Sequence, residues 1–238
     1  MARGLILWDS VDASETWLRS QVPDVVYSIF HGERTGKTPD ELPSFALSYV
    51  NILAGGALAI GLKYAGSAGV DACGVIANTL DLIIEMPVAR ARSFPSSSNT
   101  AAIDRATKLK ALCCCALALG LIMGGTGDIE TFRMLRRVRK VVLRDSTTSD
   151  YGFLQAVGMA IGFLFLAQGA LSFDNSTDLA LAALLVAVYP DFHGDANNNR
   201  YYLQALRHLY VLATRPNLLE VADANTLLPI HGIPLKLI

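Results

Sequence analysis

Three short apolar segments constrain this chain more than anything else in it. Ala57-Leu58-Ala59-Ile60-Gly61-Leu62, Ala116-Leu117-Ala118-Leu119-Gly120-Leu121 and Gly158-Met159-Ala160-Ile161-Gly162-Phe163 repeat one small-residue pattern inside an apolar run. Counted glycine to glycine, from Gly61 to Gly120 to Gly162, the spacings are 59 and 42 residues. A glycine inside a helix costs about 1 kcal/mol relative to alanine. Recurrent glycines there need a compensating reason, and the close approach of packed helix backbones supplies one. Each segment is followed by a second helical stretch, and a helical hairpin repeated in this way is the signature of a stacked array. The predicted fold class is therefore all-α, a solenoid of helical hairpins, with Gly61, Gly120 and Gly162 as repeat-packing positions.

Composition sets the main competitor. The chain is 52% hydrophobic and 17% charged, so it is not a disordered chain, and its net charge of -1 argues for neither nucleic acid nor an anionic surface. The runs Ala46 to Leu62, Ala111 to Gly127 and Phe153 to Phe173 approach the ~20 apolar residues of a membrane-spanning helix, which makes a polytopic membrane bundle the alternative. The first two runs are short and glycine-rich. Each apolar helix is followed by a shorter or amphipathic one carrying charges, as in a two-layer solenoid, and no Lys/Arg asymmetry between loops fixes a topology. No membrane, nucleic acid or small-molecule partner is expected. The opening residues, with Asp9 soon after a few apolar ones, do not read as a signal peptide.

In order, residues 1–43 read as an N-terminal segment. An extended apolar start at Leu5-Ile6-Leu7-Trp8 precedes a short helix capped by Asp12 or Ser14 and ended by Pro23. A polar linker follows from His31 to Pro43. The array occupies 44–221, about four repeats. The first runs from Ser44 to Pro87, with helices over Phe45 to Ala65 and Val70 to Glu85 about a Gly66-Ser67-Ala68-Gly69 turn. A Ser-rich insertion fills 90–100. The second spans Ala101 to Arg144, and the third Tyr151 to Pro190, two helices about a polar turn at Ser172 to Thr177. Asn198 to Ala213 reads as the helix of a terminal, capping repeat. Residues 222–238, with Pro229, Gly232 and Pro234, read as an irregular or β-like tail.

Chemistry-bearing motifs are sparse. Gly36-Lys37-Thr38 lacks the earlier glycine of a phosphate-binding loop, position 31 being His. Gly124-Gly125-Thr126-Gly127 follows a helix rather than a strand, and Asp128 and Glu130 occupy the next helix start, which disfavours phosphate. Cys113-Cys114-Cys115 point in three directions on a helix and form no metal or disulfide set, Cys73 standing apart. His31, His193, His208 and His231 lie far apart with no nucleophile or metal-spaced partner, so no catalytic residue, cofactor or metal is assigned. The informative stretch is TFRMLRRVRKVVLR. At 100° per residue Arg133, Arg136, Arg137, Lys140 and Arg144 share roughly one third of the circumference, with Leu135, Val138 and Val142 opposite. This basic stripe is either a solvated face or the contact surface for an acidic partner, and it is the candidate protein-interaction site.

Asn199-Arg200-Tyr201 followed by Leu203-Gln204-Ala205-Leu206-Arg207-His208-Leu209-Tyr210-Val211-Leu212-Ala213 carries a further likeness. With it go Leu7-Trp8-Asp9-Ser10, Trp17, Gln21-Val22-Pro23, Ala65-Gly66-Ser67, Gly125-Thr126-Gly127-Asp128 and Leu181-Ala182-Ala183-Leu184-Leu185 with Tyr189-Pro190. In order along nearly the whole chain, these resemble the subunit 1 family of the anaphase-promoting complex (cyclosome), whose repeats are of the proteasome/cyclosome (PC) type. Ala167-Gln168-Gly169-Ala170 stands where that family has a glycine run and an arginine. The resemblance implies an α-α toroid or part of one. It also implies a non-catalytic scaffold segment of a multisubunit cell-cycle ubiquitin ligase, other subunits of that complex as partners, and a nuclear and cytoplasmic location. An unrelated helical-repeat binding protein is the remaining alternative.

Overall fold

The computed structural model describes residues 1–32, 42–88, 103–144, 151–194, 197, 203–217, 223 and 226. The Ser-rich insertion, most of the polar linker and nearly all of the tail predicted over 222–238 lie outside the described residues. Among the described residues the fold is all-α apart from one two-stranded sheet. Four helices form an inner row: α1 (Ala2–Ile6), α4 (Leu42–Lys63), α6 (Arg105–Ile122) and α8 (Tyr151–Leu164), with α4 packing on α1 and α6, and α6 on α8. Between α1 and α4 come α2 (Glu15–Ser20), whose N-cap Ser14 accepts the Trp17 N–H, and α3 (Asp24–Phe30), which packs on α4. Every residue of α6 from Ala111 to Ile122 is buried, because α4, α8 and α5 (Val70–Glu85) cover it from three directions. Burying each such Leu or Ile contributes roughly 1.5–3 kcal/mol.

The small residues set how closely the row packs. A Cβ built on Gly4 would lie 2.7 Å from the Ala59 Cβ, one on Gly61 2.6 Å from the Ala118 Cα, and one on Gly120 2.8 Å from both the Cα and the carbonyl oxygen of Ala160. Each glycine thus takes the alanine of the next inner helix against its bare Cα. The turns that follow repeat a second contact. Gly66 and Ala68 donate their N–H groups to the carbonyls of Leu121 and Ile122 at 2.8 and 3.0 Å. Gly125 and Gly127 donate to Phe163 and Leu164, both at 2.9 Å. These turns need positive φ, +68° at Gly66 and +78° at Gly125, a conformation glycine adopts without steric cost.

The outer layer holds α5 and α7 (Ile129–Arg144). The pair is joined by an ion pair between Arg137 and Asp81 and by Cys73 Sγ lying 3.8 Å from Thr131 Oγ1. The third hairpin departs from the expected one. Helix α8 ends at Leu164, a 3-10 turn occupies Leu166–Gly169, and the polar turn predicted at Ser172 to Thr177 begins with strand β1 (Leu171–Phe173). This strand pairs antiparallel with β2 (Thr214–Pro216), Ser172 opposite Arg215. Beyond it, Asn175 Nδ2 donates to the carbonyls of Leu62 and Lys63 at 2.8 and 2.6 Å, and the Ser172 hydroxyl donates to Gly124 at 3.0 Å. Residues 171–175 are therefore a strap crossing from α8 back over the ends of α6 and α4. It leads into α9 (Asp178–Ala187), which touches α4 and packs mainly on Arg207–Ala213.

Two further expectations are corrected. The start is the helix α1 rather than extended chain, and of the helix predicted over Asn198 to Ala213, whose residues 198–202 lie outside the described residues, only α10 (Leu203–Leu206) is α-helical among the described ones, Arg207–Ala213 being a 3-10 segment packed on α9. Beyond Pro23, which ends the first short helix as expected, a further helix, α3, follows. Among the described residues two helices are long and apolar enough to cross a membrane, Pro43–Lys63 and Tyr151–Gly169, with 67% and 44% of their apolar windows buried inside the protein.

Candidate functional site

Helix α7 is positioned from its first turn. Asp128 accepts the Thr131 N–H at 2.7 Å, and its own N–H donates to the Thr126 hydroxyl at 3.2 Å, so the acidic cap sits where the helix dipole favours it. Thr131, Leu135, Val138 and Val142 are buried on the inward face. Arg133, Arg136, Arg137 and Lys140 of the predicted stripe are all exposed, and the side chain of Arg144 lies outside the described residues. Arg139, which the sequence reading left out, is exposed as well. The stripe is not uniform. Arg133 pairs with Glu130 one turn away and Arg137 with Asp81 of α5. The Arg136 guanidinium lies 5.5 Å from the Phe132 ring centroid, and Phe132 meets Phe165 edge-on at 5.7 Å.

The predicted packing glycines divide. Gly61 and Gly120 lie buried against Ala118 and Ala160, whereas Gly162 is exposed and a Cβ there would meet nothing within 4 Å. Sequence reasoning missed the fourth member, Gly4, although Ala2-Arg3-Gly4 has the same Ala-x-Gly form as Ala59-Ile60-Gly61, Ala118-Leu119-Gly120 and Ala160-Ile161-Gly162. It also missed two cations. Lys108 Nζ donates to the carbonyls of Ile84 and Met86 at 2.7 and 2.6 Å, closing the C-terminal end of α5. Arg207, buried, donates to the carbonyls of Ala187, Tyr189 and Asp191 at 2.9, 2.5 and 2.7 Å beyond α9 and stacks over Phe192. Arg207 of the resembling motif is thus spent on backbone.

The cysteines are free, and burial holds two of the thiols protonated: Cys114 is pushed up to about 12 and Cys115 well above the ordinary range. They are packing groups rather than nucleophiles. His31 sits in an aromatic cluster, tilted against Tyr27 at 4.2 Å and edge-on to Phe30 at 5.2 Å between ring centroids, beside a groove of about 280 Å³ that Arg19 and Tyr49 also line. Burial raises the Tyr49 hydroxyl pKa, with Tyr27 adding to it. His231 lies outside the described residues. Among the described residues no three His, Cys, Asp or Glu side chains are placed to hold a metal ion.

Stacked hairpins with a basic outer helix define a helical-repeat protein. The comparisons then give the family. The one described as "APC1 fifth domain" matches residues 1–215, and the chain belongs to it. Anaphase-promoting complex subunit 1 of Dictyostelium discoideum is 33% identical over 264 residues, covering 100% of this chain and 11% of that protein. The Homo sapiens protein of the same name is 33% identical over 238 residues, 98% of this chain and 12% of its own length. A protein of Emericella nidulans named negative regulator of mitosis is 33% identical over 232 residues, 97% and 10%. The chain thus spans roughly a tenth of the length of these relatives.

Proposed function

We propose that this chain is a non-catalytic scaffold segment of an anaphase-promoting complex, the multisubunit ubiquitin ligase of the cell cycle, acting in nucleus and cytoplasm. The observation that carries the reading is the family match over residues 1–215, and the inner row of Ala-x-Gly contacts supports it. Such a row fixes helix positions, and a rigid array offers outer helices and inter-repeat turns to neighbours. The surfaces assigned to other subunits are the stripe of Arg133, Arg136, Arg137, Lys140 and Arg144 and the turns between repeats; membrane, nucleic acid and small-molecule substrates have no part in it. Affinity purification of the tagged full-length protein from dividing cells tests this. Cullin-like and RING-type ligase subunits are expected in the eluate, and an eluate without them overturns the proposal.

A further inference from the structure

Helix α7 concentrates charge in a way the rest of the chain does not. It carries six of the 20 Lys and Arg and one of the 21 Asp and Glu, leaving fourteen basic against twenty acidic residues elsewhere. Structure separates these cations into two kinds. Arg133 and Arg137 are neutralised within the protein by Glu130 and Asp81, and the Arg137 pair serves to hold α7 against α5. Arg136, Arg139 and Lys140 are exposed, and no carboxylate of the described residues pairs with them. Side chains three and four apart on a helix are neighbours, so these three form one contiguous cationic patch. Its centre, Arg136, lies by the face of Phe132, which meets Phe165, just past the end of α8, edge-on.

We infer that Arg136, Arg139 and Lys140 form the docking surface for an acidic polypeptide segment of a neighbouring chain. The inference rests on the scaffold reading for where that segment comes from, but its chemistry stands on charge complementarity alone. Three uncompensated cations side by side repel one another and are relieved by a carboxylate-bearing partner; guanidinium groups further suit paired carboxylate oxygens. A nucleic acid fits less well, because its regularly spaced phosphates would extend beyond one patch onto a remainder of the molecule with excess acidic residues. The paired Arg133 and Arg137 border the patch and limit its extent.

The test measures binding of the purified chain to a fluorescein-labelled Glu-rich helical peptide by fluorescence anisotropy. The Gln-for-Glu peptide and a DNA duplex serve as comparison probes. The Glu-rich peptide is expected to bind with an affinity that falls as salt is raised, and the Gln peptide to bind at least about tenfold more weakly. Arg136→Glu with Arg139→Glu and Lys140→Glu is expected to lose at least about tenfold, while Arg3→Glu with Lys110→Glu is expected to change little. Should the charge-reversed chain fail to keep its helical circular dichroism, Arg136→Gln with Arg139→Gln and Lys140→Gln is measured in its place, with the same loss expected. Equal binding of both peptides, unchanged binding by the patch variants, or tighter binding of the duplex overturns the inference. Purification of the patch variant from cells separates the two proposals: a variant that still brings down the ligase subunits but lacks peptide affinity leaves the scaffold reading intact.

Discussion

At the scale of single residues, the same glycine does opposite work according to what faces it. Gly120 takes the backbone of Ala160 against its Cα, so a methyl group there must displace main chain rather than a flexible side chain. Gly120→Ala is therefore expected to destabilise by about 1–3 kcal/mol through overpacking. Gly162 sits in the same Ala-x-Gly motif, yet it is exposed, and Gly162→Ala is expected to stabilise by up to about 1 kcal/mol through helix propensity alone. Thermal unfolding of the two variants measures the contrast, and equal shifts of one sign would contradict it. The buried thiols give a second residue-scale expectation. Folding raises the Cys114 pKa to about 12 from an ordinary value near 9. The unfolded state therefore loses its proton first as pH rises. The stability this group contributes is complete below about pH 9 and is lost progressively towards pH 12. Urea unfolding at successive alkaline pH values should show the decline, and Cys114→Ala should lessen its slope.

At the scale of elements, helices α5 and α9 end on cations from elsewhere in the chain. Lys108 closes α5, and Arg207 closes α9 from a position buried enough that its removal would strand three carbonyls. Arg207→Met keeps much of the volume and discards the donors. It is expected to cost about 1–3 kcal/mol, since the buried Ala187 carbonyl left unpaired loses more than its bond was worth, while those of Tyr189 and Asp191 are only part-buried. Arg207→Lys should recover only part of this, because an ammonium cannot span the three acceptors as the planar fork does. Chemical denaturation of the two variants measures both effects. Elements were also where the sequence was most and least legible. Val70 to Glu85 reads as a helix from its caps and period and is one, and the Gly61 and Gly120 echoes locate the inner row. The cation caps were invisible, because an Arg beside His208 gives no sign of which distant carbonyls it will meet. The strap was hidden for a related reason. Ser172 and Asn175 look like turn residues locally, and their acceptors at Gly124 and Leu62 are 48 and 113 residues away.

At the scale of the whole molecule, the strap changes what kind of array this is. In a simple solenoid each repeat meets only its neighbours, and stability is close to a sum of local terms. Here residues 171–175 join the third hairpin to the ends of the first and second, passing over the glycine turns at Gly66 and Gly125. A Cβ on Gly66 would lie 2.2 Å from the Phe173 carbonyl oxygen, and one on Gly125 2.0 Å from that of Leu171, so those turns leave the strap room only as glycine. The contact skips a repeat and therefore couples α4 to α8 directly, making unfolding of one costly without the other. The intact chain is expected to unfold in a single transition, with the same midpoint by far-ultraviolet circular dichroism and by tryptophan fluorescence from Trp8 and Trp17 at the first-repeat end. Ser172→Ala with Asn175→Ala removes the side-chain bonds to Gly66, Gly124, Leu62 and Lys63. The loss expected is about 2–4 kcal/mol. Beyond the lowered midpoint, the two probes should separate and the apparent urea m-value should fall, because the repeats would then melt independently. A variant whose two probes still coincide and whose m-value is unchanged would show that nearest-neighbour packing of the Ala-x-Gly row alone carries the cooperativity.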